Sequence, residues 1–97
     1  MVAERKQLFP LGQVVATPDA LTALEEANES ALPLLCRHQS GDWGDGLCEE
    51  DRNLNDEAVK DDSRILSSYV LEATGQKVWI ITEADRSSTC VLLPENY

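Results

Sequence analysis

The chain has one imidazole, and it lies in a stretch crowded with reactive groups: Arg37-His38-Gln39-Ser40-Gly41-Asp42-Trp43-Gly44-Asp45-Gly46. Histidine titrates near neutral pH without help from its surroundings, which makes His38 the candidate general acid or base. The plainer reading is a helix-end histidine bonded to a carbonyl. Asp42 and Asp45 add oxygen ligands that, with His38, could hold a divalent cation. Their spacing fits no calcium loop, and Cys36, Cys48 and Cys90 have no zinc spacing. We therefore expect no metal and no cofactor, with Asp42 and Asp45 doing turn and capping work.

A second set of polar groups lies further along the chain: Arg64, Ser67, Tyr69, Thr82, Asp85, Arg86, Ser87 and Thr89. Ser67 and Tyr69 alternate onto one face of a strand, and Thr82 on the next strand can lie beside them. A row of hydroxyls rimmed by arginine is how small sheet-based ribonucleases and phosphate binders are built. A hydrolase of that type would use His38 with Arg64, Tyr69, Thr82 or Arg86. The competing reading is a solvated face with a capped turn, and a non-enzymatic binding site formed by His38, Asp42, Trp43, Asp45, Asn55, Tyr69, Asp85, Arg86 and Ser87. Arg86 is expected to reach Asp42 or Asp45, because the chain has many acids and few bases. Trp43 is expected to be at least half buried against the sheet near Tyr69 and Thr82. No nucleophile elbow or phosphate loop is present.

Elements must bring these groups together. Thr17-Pro18-Asp19 opens a helix: threonine caps it, proline fits the first turn, and the acid meets the positive end of the helix dipole. Leu21, Leu24 and Ala27 give its apolar face, and Asn28 ends it. Ser30 caps a second helix with Leu32, Leu35 and Cys36 on one side and Arg37 and His38 in its last turn. A third helix starts at Asp45 or Cys48 and runs to about Val59. It places Leu47, Leu54 and Ala58 on one face with Asn55 beside them. The period then changes to two. Strands are expected over Arg64 to Leu71, Lys77 to Thr82 and Thr89 to Leu93, with a turn at Gly75 and another at Ala84 to Ser87. The expected fold class is α+β. N-terminal helices pack on one face of a C-terminal three-stranded antiparallel meander, to which Val14 and Val15 can add a fourth edge strand. Residues 1–97 form one domain, with 1–9 as a loosely held arm.

Eighteen acids against eight bases give a formal net charge of -10, which disfavours polyanions and anionic membranes as partners. Nucleic acid is thus an unexpected partner, and the hydrolase reading loses ground with it. The acidic run from Asp45 to Asp62 reads as a solvated helix face, or as a negative face for a basic partner in an acidic interaction module that mimics a protein or nucleic acid. No apolar run is long enough to span a membrane, and no apolar stretch follows Met1 to Lys6. Three unpatterned cysteines suit a reducing compartment, with two of them buried. The expectation is a cytoplasmic protein with a protein partner; its oligomeric state is open.

His38 to Asp45, Ser63 to Tyr69 and Ile80 to Thr89, closing on Leu93-Pro94-Glu95-Asn96-Tyr97, resemble a group of small uncharacterised bacterial proteins that are often plasmid-related. The likeness runs from about Leu11 onward. It implies a bacterial cytoplasmic accessory protein of mobile elements and carries no catalytic assignment.

Overall fold

The computed structural model describes residues 7–44 and 46–97. Its elements are β1 (Gln13–Ala16), α1 (Pro18–Glu26), α2 (Ala31–Gln39), α3 (Glu49–Asp61), β2 (Ile65–Val70), β3 (Lys77–Thr82) and β4 (Ser88–Leu92), followed by a 3-10 turn at Pro94–Asn96. The class is α+β, with one four-stranded sheet in the order β1-β4-β3-β2. Two features correct the expected arrangement. The sheet is mixed, because β1 runs parallel to β4 while β2, β3 and β4 form the antiparallel meander. The helices are not all N-terminal to the sheet but lie between β1 and β2, as the crossover from one edge of the sheet to the other. A parallel pairing needs such a long crossover, and the three helices supply it.

Local chemistry sets the boundaries. Thr17 Oγ1 accepts from Ala20 N–H at 3.1 Å and caps α1, while Asn28, at φ 56°, turns the chain away after its last turn. Ser30 caps α2 by accepting from Leu32 N–H. That helix is rotated from the expected face: Leu34, Leu35 and His38 point inward, and Leu32 and Cys36 are exposed. Neither Cys48 nor Cys90 is buried either, which removes the expected pair of buried thiols. Along the inner face of the sheet, Ile65, Ser67, Tyr69 and Leu71 alternate inward beside Val78, Ile80, Thr82, Thr89 and Val91. Ala20, Ala23, Leu24 and Ala27 of α1 and Leu34 and Leu35 of α2 complete the main core. A smaller cluster joins Phe9, Trp43, Ala58 and Ile65. Phe9, assigned from sequence to the arm, is therefore core, and its neighbour Leu8 is held by Gln39 O at 2.8 Å. Residues 1–6 of that arm lie outside the described residues.

α3 stands along the outer edge of β2 rather than over a face. Ala58 leans to the inner side, Leu54 is 59% exposed, and Asn55 points at the strand. The expected Leu47–Leu54–Ala58 stripe is therefore turned by about one position, so that Asn55 becomes the contact. The reason is backbone chemistry. An edge strand carries unpaired N–H and C=O groups. Asn55 Nδ2 donates to Leu66 O at 2.6 Å, and Leu66 N donates to Asn55 Oδ1 at 3.2 Å. One side chain thus completes a strand-like pair. The next outward residue, Ser68, is matched by the loop: Ser68 N donates to Trp43 O at 3.0 Å and Gly46 N donates to Ser68 O at 3.1 Å. Gly44 makes that approach possible. Its φ is +88°, and a Cβ there would meet Ser68 O and the Tyr69 ring.

Candidate functional site

The glycine-rich stretch packs on the sheet. Trp43 is 2% exposed, with its Nε1 donating to Asp56 Oδ1 at 2.9 Å. Tyr69 donates its hydroxyl proton to Asp42 O at 2.6 Å, and the Arg37 guanidinium lies 4.7 Å above the Tyr69 ring. Arg37 also pairs with the Asp42 carboxylate at 2.7 Å. Asp42 is therefore an anchor of the loop. Asp45 lies outside the described residues.

His38 is fully buried, and both ring nitrogens are engaged. Nδ1 is 2.5 Å from Ser67 Oγ, and Nε2 is 2.9 Å from Thr82 Oγ1. Thr82 Oγ1 is in turn 2.7 Å from Thr89 Oγ1, and Thr89 donates to Leu11 O at 2.7 Å. Counting protons fixes the polarity of this relay. A carbonyl can only accept, so the Thr89 hydroxyl proton goes to Leu11. Thr82 must then donate to Thr89, which leaves its oxygen to accept from His38 Nε2–H. Nδ1 carries no proton and accepts from Ser67. Each hydroxyl has one proton and each is used. Burial, and secondarily the positive charge of Arg86, hold the His38 pKa down at about 3. The imidazole is neutral at pH 7, edge-on to Phe9 and Trp43, and has no solvent-facing nitrogen. Ser67 and Thr82 of the expected Ser67–Tyr69–Thr82 row join Thr89 in an internal hydrogen-bond chain crossing the sheet, while the Tyr69 hydroxyl turns to the loop.

The rest of the anticipated constellation is divided. Arg86, itself at φ 60°, donates to Ser63 O at 2.7 Å, Glu83 O at 3.1 Å and Ala58 O at 2.9 Å. Its guanidinium stands 5.4 Å from the Phe9 ring centre. It closes the end of α3, where free carbonyls attract a cation. This replaces the expected bridge to Asp42, whose carboxylate Arg37 takes. Asp85 accepts from Ser87 N–H and from the Ser87 hydroxyl, and these bonds hold its carboxyl below the usual range. Asp85 and Ser87 are thus a turn lock, exposed and remote from His38. Arg64 lies on the opposite side of the sheet, donating to Tyr97 Oη at 2.5 Å. The structure brings His38, Ser67, Thr82 and Thr89 together, and Trp43, Asp42 and Tyr69 beside them. It does not bring Arg64, Asp85 or Ser87 to that centre.

A different concavity lies on the outer face of the sheet. There Leu66 and Ser68 of β2 stand beside Ile81 and Trp79 of β3, and α3 rises along the edge. The resulting cleft has a volume of about 530 Å³. Leu47, Leu54, Leu66, Trp79 and Pro94 make its apolar lining, and Arg64, Lys77, Asp51 and Asn55 its polar margin. Trp79 is only half-buried and meets Tyr97 edge-on at 5.9 Å. Ser68, 1% exposed, lies at the cleft under Gly46, and among the described residues its Oγ has no hydrogen-bond partner. Asn55 and Arg64 were legible as candidates; Trp79, Leu66 and Lys77 were not. A signal existed in the alternation of β3, which puts Trp79 opposite the buried Val78 and Ile80 and so on the face without helices.

Among the described residues, no three His, Cys, Asp or Glu side chains gather as a metal would require, and no helix is long and apolar enough to cross a membrane. Comparison with protein-family models, curated proteins and solved structures finds no match to this chain.

Proposed function

We propose that the chain is a non-enzymatic binding protein whose site is the outer cleft, and that it takes an apolar or aromatic group carrying an anionic end. The observation that carries this reading is the cleft itself. It combines an indole and aliphatic floor with two cations, in a molecule that has few cations to place. Of the six described bases, Arg37 pairs with Asp42, Arg52 and Arg86 are bonded to backbone carbonyls, and Lys60 is exposed in the last turn of α3. Arg64 and Lys77 stand at the cleft. A volume of this size suits a small ligand or the side chains of a short peptide, and a few placed polar groups would orient it. Catalysis is disfavoured on physical grounds, because a neutral His38 with both nitrogens bonded inside the core cannot exchange protons with a substrate. We further propose a cytoplasmic accessory role for mobile elements, with a partner that brings the anionic group; this role rests on the resemblance read from the sequence alone.

Anilinonaphthalene sulfonate has the chemistry this cleft should accept, an aromatic body with a fixed negative charge. We expect saturable binding to the native protein, with energy transfer from tryptophan. Leu54→Glu alters only an exposed helix position and puts a carboxylate at the cleft wall. It should weaken binding roughly tenfold, equivalent to about 1.4 kcal/mol. Arg64→Gln with Lys77→Gln should weaken it similarly without moving the melting temperature by more than a few degrees. Binding unchanged in both variants would place the site elsewhere.

A further inference from the structure

The two edges of the sheet are treated differently. The β2 edge is covered by Asn55 and by the Trp43 to Gly46 loop. The β1 edge is bare among the described residues, since β1 ends the strand order and pairs with β4 alone. Gln13 N donates to Ser87 O at 3.0 Å and Thr17 N to Val91 O at 2.9 Å, so these residues turn their backbone groups inward. Alternation then sends the N–H and C=O of Val14 and Ala16 outward. Val14 and Val15 are 45% and 44% exposed. Bare edges of this kind are normally blunted by lysine, proline or a bulge within the strand. Here Gln13-Val14-Val15-Ala16 has none of these, and the whole run from Gln7 to Thr17 lacks a charged residue in a chain of net charge -10.

We infer that the β1 edge pairs with β1 of a second copy, antiparallel about a two-fold axis through Val15, giving one continuous eight-stranded sheet. The register follows from the outward groups. Val14 of one copy faces Ala16 of the other, and each of these two pairs exchanges both backbone bonds, making four in all. Val15 then faces Val15 in the closer, non-hydrogen-bonded position, as an apolar cross-strand pair. A second copy fits better than a foreign strand for two reasons. The outward residues flank a central valine with small apolar side chains on both sides, so the strand complements itself when reversed. The uncharged run is also where two strongly acidic molecules can meet without opposing like charges. Four residues cover far less than the roughly 1,200 Å² of a standard interface, so the dimer is weak and concentration-dependent.

Sedimentation velocity of the full chain over rising concentration should show the mass climbing from 10.7 kDa toward twice that value. Val14→Pro, which removes an outward N–H and leaves the inward bonds, should abolish the rise, as should Val15→Lys, which opposes like charges. Both should keep the native circular dichroism spectrum, which shows that loss of the dimer is not loss of the fold. In a background with Cys36, Cys48 and Cys90 changed to serine, Val15→Cys should form a disulfide-linked dimer. Directly opposed residues of that type lie about 4.5 Å apart between Cα atoms, within disulfide range. Val14→Cys, which would face Ala16, should cross-link poorly. A mass of 10.7 kDa at every concentration, or a dimer indifferent to both edge variants, overturns the inference. So does a monomer that captures an extended apolar peptide with protection of the Val14 and Ala16 amides, which would give the edge to a foreign strand.

Discussion

A buried imidazole is stable only if both nitrogens are bonded and the ring stays neutral, and His38 meets both conditions through Ser67 and Thr82. This gives the stability a pH dependence. The folded-state pKa of about 3 lies below the ordinary value of 6.5. Between those values the unfolded chain binds a proton that the folded chain excludes. The contribution of His38 is therefore complete above about pH 6.5 and is lost as pH falls. Because the chain has one histidine, the test is clean. Unfolding free energy from urea titrations should drop by about 2 kcal/mol between pH 7 and pH 5. His38→Gln should be less stable at pH 7 but should lose most of that slope. A wild-type slope no steeper than that of His38→Gln over this range would show that His38 accepts a proton in the folded state. The importance of His38 was legible from its uniqueness and its position at a helix end. Its role was not, because the hydroxyls that bond its ring nitrogens come from two strands far along the chain, and local spacing carries no information about how they meet.

At the scale of elements, the joints are held by polar side chains bonded to backbone. Asn55 and Arg86 each satisfy groups that an edge strand or a helix end leaves open. Arg86 ties the β3–β4 turn to the end of α3 and covers Phe9. A bridge from Arg86 to the glycine-rich loop would make its removal change the surroundings of Trp43 with the melting temperature almost unmoved; the bonds to Ser63, Glu83 and Ala58 carbonyls predict a loss of stability. Arg86→Ala should cost about 2 kcal/mol, since bonds from a charged group to carbonyls are lost, or roughly 8–16 °C in Tm for a domain of this size. A calorimetric scan measures it, and a shift below a few degrees would mean the carbonyls find water equally well. The meander was readable because period-two alternation and the Gly75 turn are local signals. The parallel pairing of β1 with β4 was not, since Val14 and Val15 look the same beside any strand. The rotation of α3 was hidden for a related reason. Leu54 is the more apolar residue, yet Asn55 faces inward because Leu66 needs a partner on both its N–H and its C=O.

For the whole molecule, the helices cover one sheet face, α3 and the loop cover one edge, the other face is covered only in part and holds the cleft, and the β1 edge is open among the described residues. The acids of α3 point mainly to solvent, which keeps so acidic a chain dispersed and leaves Arg64 and Lys77 as the cations beside an apolar floor. The two tryptophans divide along the same line. Trp43 lies inside, its indole N–H held by Asp56, and Trp79 lies in the cleft. They therefore report separately on the two places a ligand could act, the loop centred on His38 and the outer face. The most direct measurement is the pair of indole N–H signals in a proton–nitrogen spectrum during titration with anilinonaphthalene sulfonate. The account predicts that the Trp79 signal moves and saturates while the Trp43 signal holds its position. Movement of Trp43 with Trp79 unchanged would contradict it and return the binding site to the glycine-rich loop.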